Sequence, residues 1–289
     1  MKRSILILSF VMLFANNTQA DEMSLPSCGE NCTYSMLENG TDSNGNTTYT
    51  LIIEPITEGT EATIKRYDRP GYSTTTDYAP WRNANVSKVE VKEGIVSVGG
   101  HAFEDMLSIK EVSLPNGLMS IGSEAFHNCR SLEKINLPDT LTSLGEWSLN
   151  LTAVSSIEIP SGITAIRAYT FDGTNIETLI IPDNVKSLNL TSFFGSNGGY
   201  QGMTLKNLYC PEALKAQCEA AVALKVNTEE PVQVKTYQKF GENEFLIDGR
   251  FYRKPNDFYA DEHIKKRIYS VGEANAVSGK KNKVMIRYR

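Results

Sequence analysis

The stretch EVSLPNGLMSIGSEAFHNCRSLEKINLPDTLTSLGEWSL, residues 111–149, contains one pattern twice. Two apolar residues flank a polar one, and a proline, a third apolar residue, a glycine and a large apolar residue then follow in order. Related segments begin at residues 88, 111, 134, 156 and 178, so the pattern recurs every 22 or 23 residues. Self-similarity at this period indicates a stack of structural repeats, in which each repeat buries its apolar side against its neighbours.

The apolar columns indicate how each repeat is folded. Alternation in the first part of a repeat predicts one short strand, and strands of successive repeats should pair in parallel about 4.8 Å apart. A proline at the end of each strand is tolerated because its missing N–H is not needed there. The columns are Val89, Val112, Ile135, Ile157 and Leu179; Val91, Leu114, Leu137, Ile159 and Ile181; Val98, Ile121, Leu144, Ile166 and Leu188; and the larger Phe103, Phe126, Leu149, Phe171 and Phe193.

Both ends of the stack need covers. Two alternating runs between Cys28 and Trp81 predict a β-hairpin at the front, with Trp81 packed on the first coil. The run PEALKAQCEAAVAL predicts a helix that starts at Pro211 and covers the last strand. The predicted fold class is α+β, a parallel-β solenoid of five to six repeats of 22–23 residues with a cap at each end. The predicted domains are a signal peptide (1–20), a β-rich cap (21–85), the repeats (86–211), a capping helix and linker (212–230) and a small basic α+β module (231–289).

The first twenty residues have the layout of a cleavable signal peptide. Lys2 and Arg3 precede an apolar run from Ile5 to Phe14, and a polar stretch ends at Ala20. The run is too short to cross a bilayer of about 30 Å as a helix. We therefore expect export to the cell surface, the medium or the periplasm.

Charge is divided unevenly along the chain. Residues 21–230 carry 14 basic and 27 acidic side chains, whereas residues 231–289 carry 13 basic and 7 acidic ones. Either the two parts attract each other or the basic tail contacts an acidic partner, such as envelope material.

The five cysteines predict local disulfides in an oxidising compartment. Cys28 and Cys32 are close in sequence, as are Cys210 and Cys218. A zinc site at Cys28 and Cys32 is the weaker alternative, because no second pair or nearby histidine completes it. Cys129 falls at a small buried position of the repeat, which favours a structural thiol over a nucleophile.

Patterns that indicate catalysis are scarce. His101 and His127 occupy different columns of neighbouring repeats, so they need not converge, and Glu104 and Asp105 fall at a turn where solvated carboxylates are expected. No phosphate-binding loop or nucleophile elbow is present. We expect no enzymatic activity, no cofactor, no metal and no nucleic-acid partner.

The outward positions of the strands form the candidate ligand-binding face. They are Lys88, Glu90, Glu111, Ser113, Lys134, Asn136, Glu158, Thr178, Ile180, Asn207 and Tyr209. Charges of both signs at the front give way to Ile180 and Tyr209, and exposed residues of these types often anchor an interface. The alternative is that the tail module docks on them.

Residues 86–211 resemble the BspA-like leucine-rich repeats, in which proline, glycine, an Ala-Phe pair and a cysteine follow in this order. The phrase IPSGITAIRAYTF, from residue 159, carries part of the same pattern. The resemblance implies a secreted or cell-surface protein that binds a protein or another surface macromolecule. The alternative function is an envelope- or carbohydrate-binding accessory protein whose C-terminal module carries the binding.

Overall fold

The computed structural model describes residues 26–69, 71, 76–194, 204–224, 231–241, 244–247, 250–253 and 269–273, with side chains as far as Tyr237. The predicted signal peptide lies outside these residues, as does most of the tail after residue 253. Within the described ranges, no helix has the length and apolar character needed to span a membrane.

A first ladder of strands runs along the solenoid. It begins as a sheet in the order β1 (Ser27–Gly29), β2 (Cys32–Thr41), β3 (Thr47–Pro55), β5 (Val86–Val91), β7 (Glu111–Ser113) and β9 (Lys134–Ile135). The hairpin strands β2 and β3 are antiparallel, and from β3 onward the pairs are parallel. Val112 lies opposite Val89 and Ile135, so the sequence period is the strand register, as predicted.

A second ladder follows the proline turn of each repeat. Its strands are β4 (Ala62–Ile64), β6 (Ile95–Val98), β8 (Ser120–Ile121) and β10 (Ser143–Leu144), all parallel, and a separate pair is β11 (Ala165–Ile166) with β13 (Ser187–Leu188). The prediction of one strand per repeat was therefore incomplete. The column that contains Val98 and Ile121 is extended and in the same register in successive repeats. Its residues therefore pair from one repeat to the next.

Glycine allows the coils of the second ladder to approach closely. A Cβ atom added to Gly122 would lie 2.4 Å from the amide nitrogen of Gly100, and one added to Gly145 would lie 2.3 Å from that of Ser123. The fourth repeat has Arg167 at the equivalent position, and β10 and β11 are not paired. The interruption therefore coincides with the first repeat that has a side chain in this column, although β11 and β13 pair with Asn189 at the next position of the column.

The first ladder is interrupted at the same repeat. Residues 156–159 were predicted as a strand, but they are not in regular strand structure. The ladder resumes with β12 (Thr178–Ile180) and β14 (Asn207–Pro211). The prediction for the fourth repeat was therefore wrong, since apolar alternation alone does not ensure that neighbouring coils lie close enough for ladder hydrogen bonds.

Aromatic rings stack along the axis of the core. Phe103 and Phe126 are fully buried, with centroids 5.0 Å apart and planes 9° from parallel. At the front, Trp81 stacks on Phe103 at 5.7 Å and donates its indole N–H to the carbonyl of Ala102 at 2.8 Å. Cys28 and Cys32 form a disulfide beside this cap, with Cα atoms 5.3 Å apart.

The back of the solenoid is covered by a 3-10 turn (Glu212–Leu214) and the helix α1 (Lys215–Val222), which bury Leu214, Cys218 and Ala221. The second predicted disulfide is not formed. Cys210 and Cys218 are free buried thiols that share a hydrogen bond, so the sulfur atoms are satisfied within the packed interface without a covalent bond.

The sheet continues from the repeats into the tail. Strand β15 (Gln233–Gly241) pairs in parallel with β14, and β16 (Glu244–Ile247), β17 (Arg250–Arg253) and β18 (Tyr269–Glu273) follow as antiparallel neighbours. The phenol of Tyr237 is buried and donates to the carbonyl of Ile181 at 2.6 Å. The first strand of the predicted tail module is thus a further rung of the first ladder.

Candidate binding face and buried ion cluster

The eleven residues predicted to face outward all retain exposed surface in the structure. Eight belong to β5, β7, β12 and β14, and Lys134 lies on β9. Asn136 follows β9, and Glu158 lies in the repeat without a strand. We call these eleven residues the first-ladder face. Alternation places them outward because their neighbours in sequence, such as Val112 and Leu179, are buried.

The front of the first-ladder face is a network of ion pairs. The Lys88 ammonium lies 3.2 Å from carboxylate oxygens of both Glu90 and Glu111, and Lys92 reaches Glu90 at 2.6 Å. The hydrogen bond to Glu111 raises the pKa of Lys88, and the hydrogen bond from Lys92 lowers the pKa of Glu90. All these side chains are accessible to water, so the pairs give the face charge complementarity more than stability.

Asn136 ties two repeats together in the middle of the face. Its side-chain amide accepts from the N–H of Leu114 and donates to the carbonyl of the same residue, both at 3.3 Å. Part of its hydrogen-bonding capacity is therefore used within the solenoid, and it is a weaker candidate for ligand contact than the residues around it.

The back of the face is less polar and extends beyond the predicted residues. Ile180 is 36% exposed, and register places Tyr209 opposite it and Lys235 opposite Tyr209. The Lys235 ammonium lies 5.6 Å from the centroid of the Tyr209 ring, a cation–π distance. Gln233 extends the other outward row beside Asn207. The alternation in VQVKTYQ was the available signal, but it was assigned to a separate module.

A buried ion cluster lies where the front cap meets the first two repeats. Glu104 is only 4% exposed, in contrast to the solvated carboxylate predicted from its turn position. Its carboxylate accepts from Nδ1 of His101 at 2.8 Å, and Arg69 lies 3.0 Å from Glu104 and 3.2 Å from Glu124. We call His101, Glu104, Glu124, Arg66 and Arg69 the ion cluster.

The hydrogen bonds of the ion cluster define the histidine tautomer. Arg66 lies 3.3 Å from Nε2 of His101, and a guanidinium can only donate, so Nε2 accepts and Nδ1 carries the proton. Sequence reasoning missed this cluster because both arginines come from the cap.

The ion cluster also contains a possible ligand set for a metal. One ligand atom from each of His101, Glu104 and Glu124 lies within 4.8 Å of the others. Arg69 already contacts both carboxylates, so a cation would have to displace its partly exposed guanidinium. The arrangement fits a set of salt bridges between the cap and the repeats better than it fits a metal centre.

The remaining candidate for chemistry, Cys129, is fully buried. Burial raises the pKa of its thiol well above the ordinary value, and its sulfur contacts the carbonyl of Phe103 at 3.0 Å. These properties are those of a core thiol, because the nucleophilic form of cysteine is the thiolate.

The paired ladders and the axial ring stack define a leucine-rich-repeat solenoid. Comparison with protein families identifies its type: residues 74–198 match the BspA type leucine rich repeat region in six copies. The repeats of this chain are therefore BspA-type leucine-rich repeats, as the sequence predicted. A comparison with curated proteins gave no significant match.

Solved structures similar to this chain include bacterial leucine-rich-repeat proteins. One, from Eubacterium ventriosum, has 18% identity and a TM-score of 0.46 over 77% of this chain and 48% of that one. One from Bacteroides ovatus has 21% identity and a TM-score of 0.36 over 60% and 45%. A leucine rich cell surface protein from Faecalibacterium prausnitzii has 16% identity and a TM-score of 0.37 over 77% and 57%. The chain thus spans about half the length of these proteins.

Proposed function

We propose that this chain is a secreted or cell-surface protein that binds another protein or surface macromolecule through the first-ladder face, without catalysis or a cofactor. The observation that carries the proposal is the row Ile180, Tyr209 and Lys235 on a parallel ladder. Adjacent strands hold these side chains about 4.8 Å apart on a rigid backbone, so little conformational freedom is lost on binding.

The chemistry of the row suits a protein surface. An isoleucine, an aromatic ring and an ammonium group combine apolar area with a positive edge, and aromatic residues are frequent anchors of interfaces. The ion pairs at the front of the face would orient the partner rather than supply most of the affinity. Secretion is supported by the predicted signal peptide, and the BspA-type repeat region is consistent with a repeat-based binding role.

Tail truncation does not test this proposal, because removal of β15 would uncover the edge of β14 and would also remove Tyr237, whose buried phenol donates to the carbonyl of Ile181. We would therefore keep the full exported chain. The experiment compares Tyr209→Ala, Ile180→Ser and Lys235→Glu with the unchanged protein, using capture from an extracellular-matrix extract and from the producer's envelope fraction. Met119→Ser is the matched control. Met119 directly precedes β8 of the second ladder and is an apolar residue with 45% exposure.

The expected result is that a defined set of partners is retained by the unchanged protein and by Met119→Ser, and that its affinity falls at least about tenfold with Tyr209→Ala, a change of about 1.4 kcal/mol. Capture that survives all three changes in the row would refute the proposal. Loss with Lys235→Glu alone, from the envelope fraction only, would instead favour the alternative in which the basic tail contacts envelope material.

A further inference from the structure

A groove of about 480 Å³ runs along the second ladder, on a surface separate from the first-ladder face. Hydroxyl groups line it in a row, and the Oγ atoms of Ser97 and Ser120 lie 2.8 Å apart. The close stacking at Gly122 and Gly145 leaves backbone rather than side chains along its floor. A carboxylate, Glu146, and a guanidinium, Arg167, line it beside the interrupted fourth repeat.

Two aromatic side chains lie next to this groove. Trp147 directly follows Glu146 in the chain, and Tyr169 occupies the equivalent position of the next repeat. Their centroids lie 3.8 Å apart with planes 19° from parallel, and both side chains are partly exposed. The buried ring of His127 packs against Trp147 in a T-shaped arrangement, with centroids 5.8 Å apart, which helps to fix the orientation of the tryptophan.

These two rings stand at an unfavourable backbone position. Trp147 has φ of 58° and Tyr169 has φ of 57°, in the left-handed region that bulky residues rarely adopt. The same column holds His101 and Glu124, so the backbone conformation belongs to the repeat, but a large ring there costs free energy. Because the rings are partly exposed, core packing does not require them, and residues held at such a cost are often functional.

The chemistry beside the rings is polar and close to neutral. The groove offers serine hydroxyls, which both donate and accept hydrogen bonds, together with one acid and one base. Among the described residues that line the groove, the acid Glu146 balances the base Arg167, so there is no excess positive charge to attract a phosphate backbone. The two apolar side chains of the lining, Val98 and Ile121, are buried in the core. The described lining therefore offers no large apolar pocket for a peptide side chain.

We propose that Trp147, Tyr169 and the adjoining groove form a binding site for a neutral glycan. The C–H face of a pyranose would stack on the exposed ring surface, which combines apolar area with a fixed orientation. The sugar hydroxyls would exchange hydrogen bonds with Glu146, Arg167 and Ser143. The site is independent of the first-ladder face, so the chain would have one surface for a macromolecular partner and another for carbohydrate.

The test is isothermal titration calorimetry of the full exported chain with three neutral hexasaccharides: cellohexaose, maltohexaose and the β-1,4-linked hexamer of N-acetylglucosamine. At least one is expected to bind saturably with a Kd of about 1 mM or lower. Trp147→Gly and Tyr169→Gly should each weaken that binding at least tenfold. Glycine is chosen because it adopts the left-handed backbone without strain, so the variants should remain folded, as circular dichroism would verify.

Intrinsic fluorescence provides a second readout. The chain has two tryptophans, and Trp81 is fully buried, so a spectral change on adding the bound sugar would report Trp147. Tyr209→Ala is the matched control and should leave sugar binding unchanged. Absence of saturable binding to all three sugars, or binding that survives Trp147→Gly but is lost with Tyr209→Ala, would overturn the proposal.

Discussion

Replacement of Gly145 by alanine should strongly destabilise the solenoid. The added Cβ would lie 2.3 Å from the amide nitrogen of Ser123 and 2.5 Å from the carbonyl carbon of Gly122, where ordinary contacts begin near 3.4 Å. The obstacle is the Gly122–Ser123 backbone of the preceding repeat, so no side chain can rotate away. The third coil must therefore move by about 1 Å relative to the second.

This displacement acts on the hydrogen bonds between β8 and β10. The N–H of Gly145 donates to the carbonyl of Ile121 at 2.9 Å, and the N–H of Ser143 donates to that of Met119 at 3.3 Å. Loss of two such bonds costs about 1 kcal/mol each, and overpacking of a close-packed interior adds about 1 to 3 kcal/mol. We expect a loss of about 3 to 5 kcal/mol, a large part of the stability of a typical domain.

The assay is urea unfolding followed by far-ultraviolet circular dichroism, with the free energy of unfolding obtained from the midpoint and slope. Gly117→Ala is the control, because a Cβ at that turn position meets nothing within 4 Å. The control should be neutral, or more stable by about 0.5 kcal/mol through the loss of freedom in the unfolded chain. Similar midpoints for the two variants would refute the argument that the stacking of the third coil on the second requires glycine at position 145.

Three further changes test other parts of the structure. Phe126→Ala should reduce the free energy of unfolding by about 3 to 5 kcal/mol in the same assay, whereas Phe126→Leu should cost only about 1 kcal/mol, since Leu149 occupies the same column; equal losses would contradict the ring-stack account. Leu151 has φ of 57° in a column shared with Asp105, Asn128 and Gly173, so Leu151→Asn should raise the melting temperature, by relief of about 1 kcal/mol of strain, and Leu151→Ala should not. Burial lowers the pKa of His127 below the unfolded value of about 6.5, so the unfolded chain binds the proton first and stability should fall as the pH drops below about 6.5; urea midpoints from pH 7 to 5 should show a shallower decline for His127→Asn, and identical slopes would rule out this linkage.

Much of the fold was predictable because the same pattern of apolar and polar residues occurs several times in the chain. A single apolar alternation is ambiguous, but five alternations in register define the repeat, the inward face and the direction of stacking, even though the fourth forms no regular strand. The same redundancy placed Cys129 and the Phe126 column in the core. It also predicted which side chains of β7 and β12 face outward, because the period of a strand leaves only two faces.

The sequence by itself determined the solenoid, its register and the outward residues, whereas the tertiary structure decided what lies beside them. Arg69 meets Glu104 and Glu124 across 35 and 55 residues of chain, and Lys235 reaches Tyr209 from beyond the repeats. The close approach of Gly145 to Ser123 becomes apparent only when the coils are stacked, and so does the contact of Trp147 with Tyr169. Periodic information is local and repeated, so it can be read from the chain. Single contacts between distant segments carry no period, and they are specified only when the folded backbone brings those segments together.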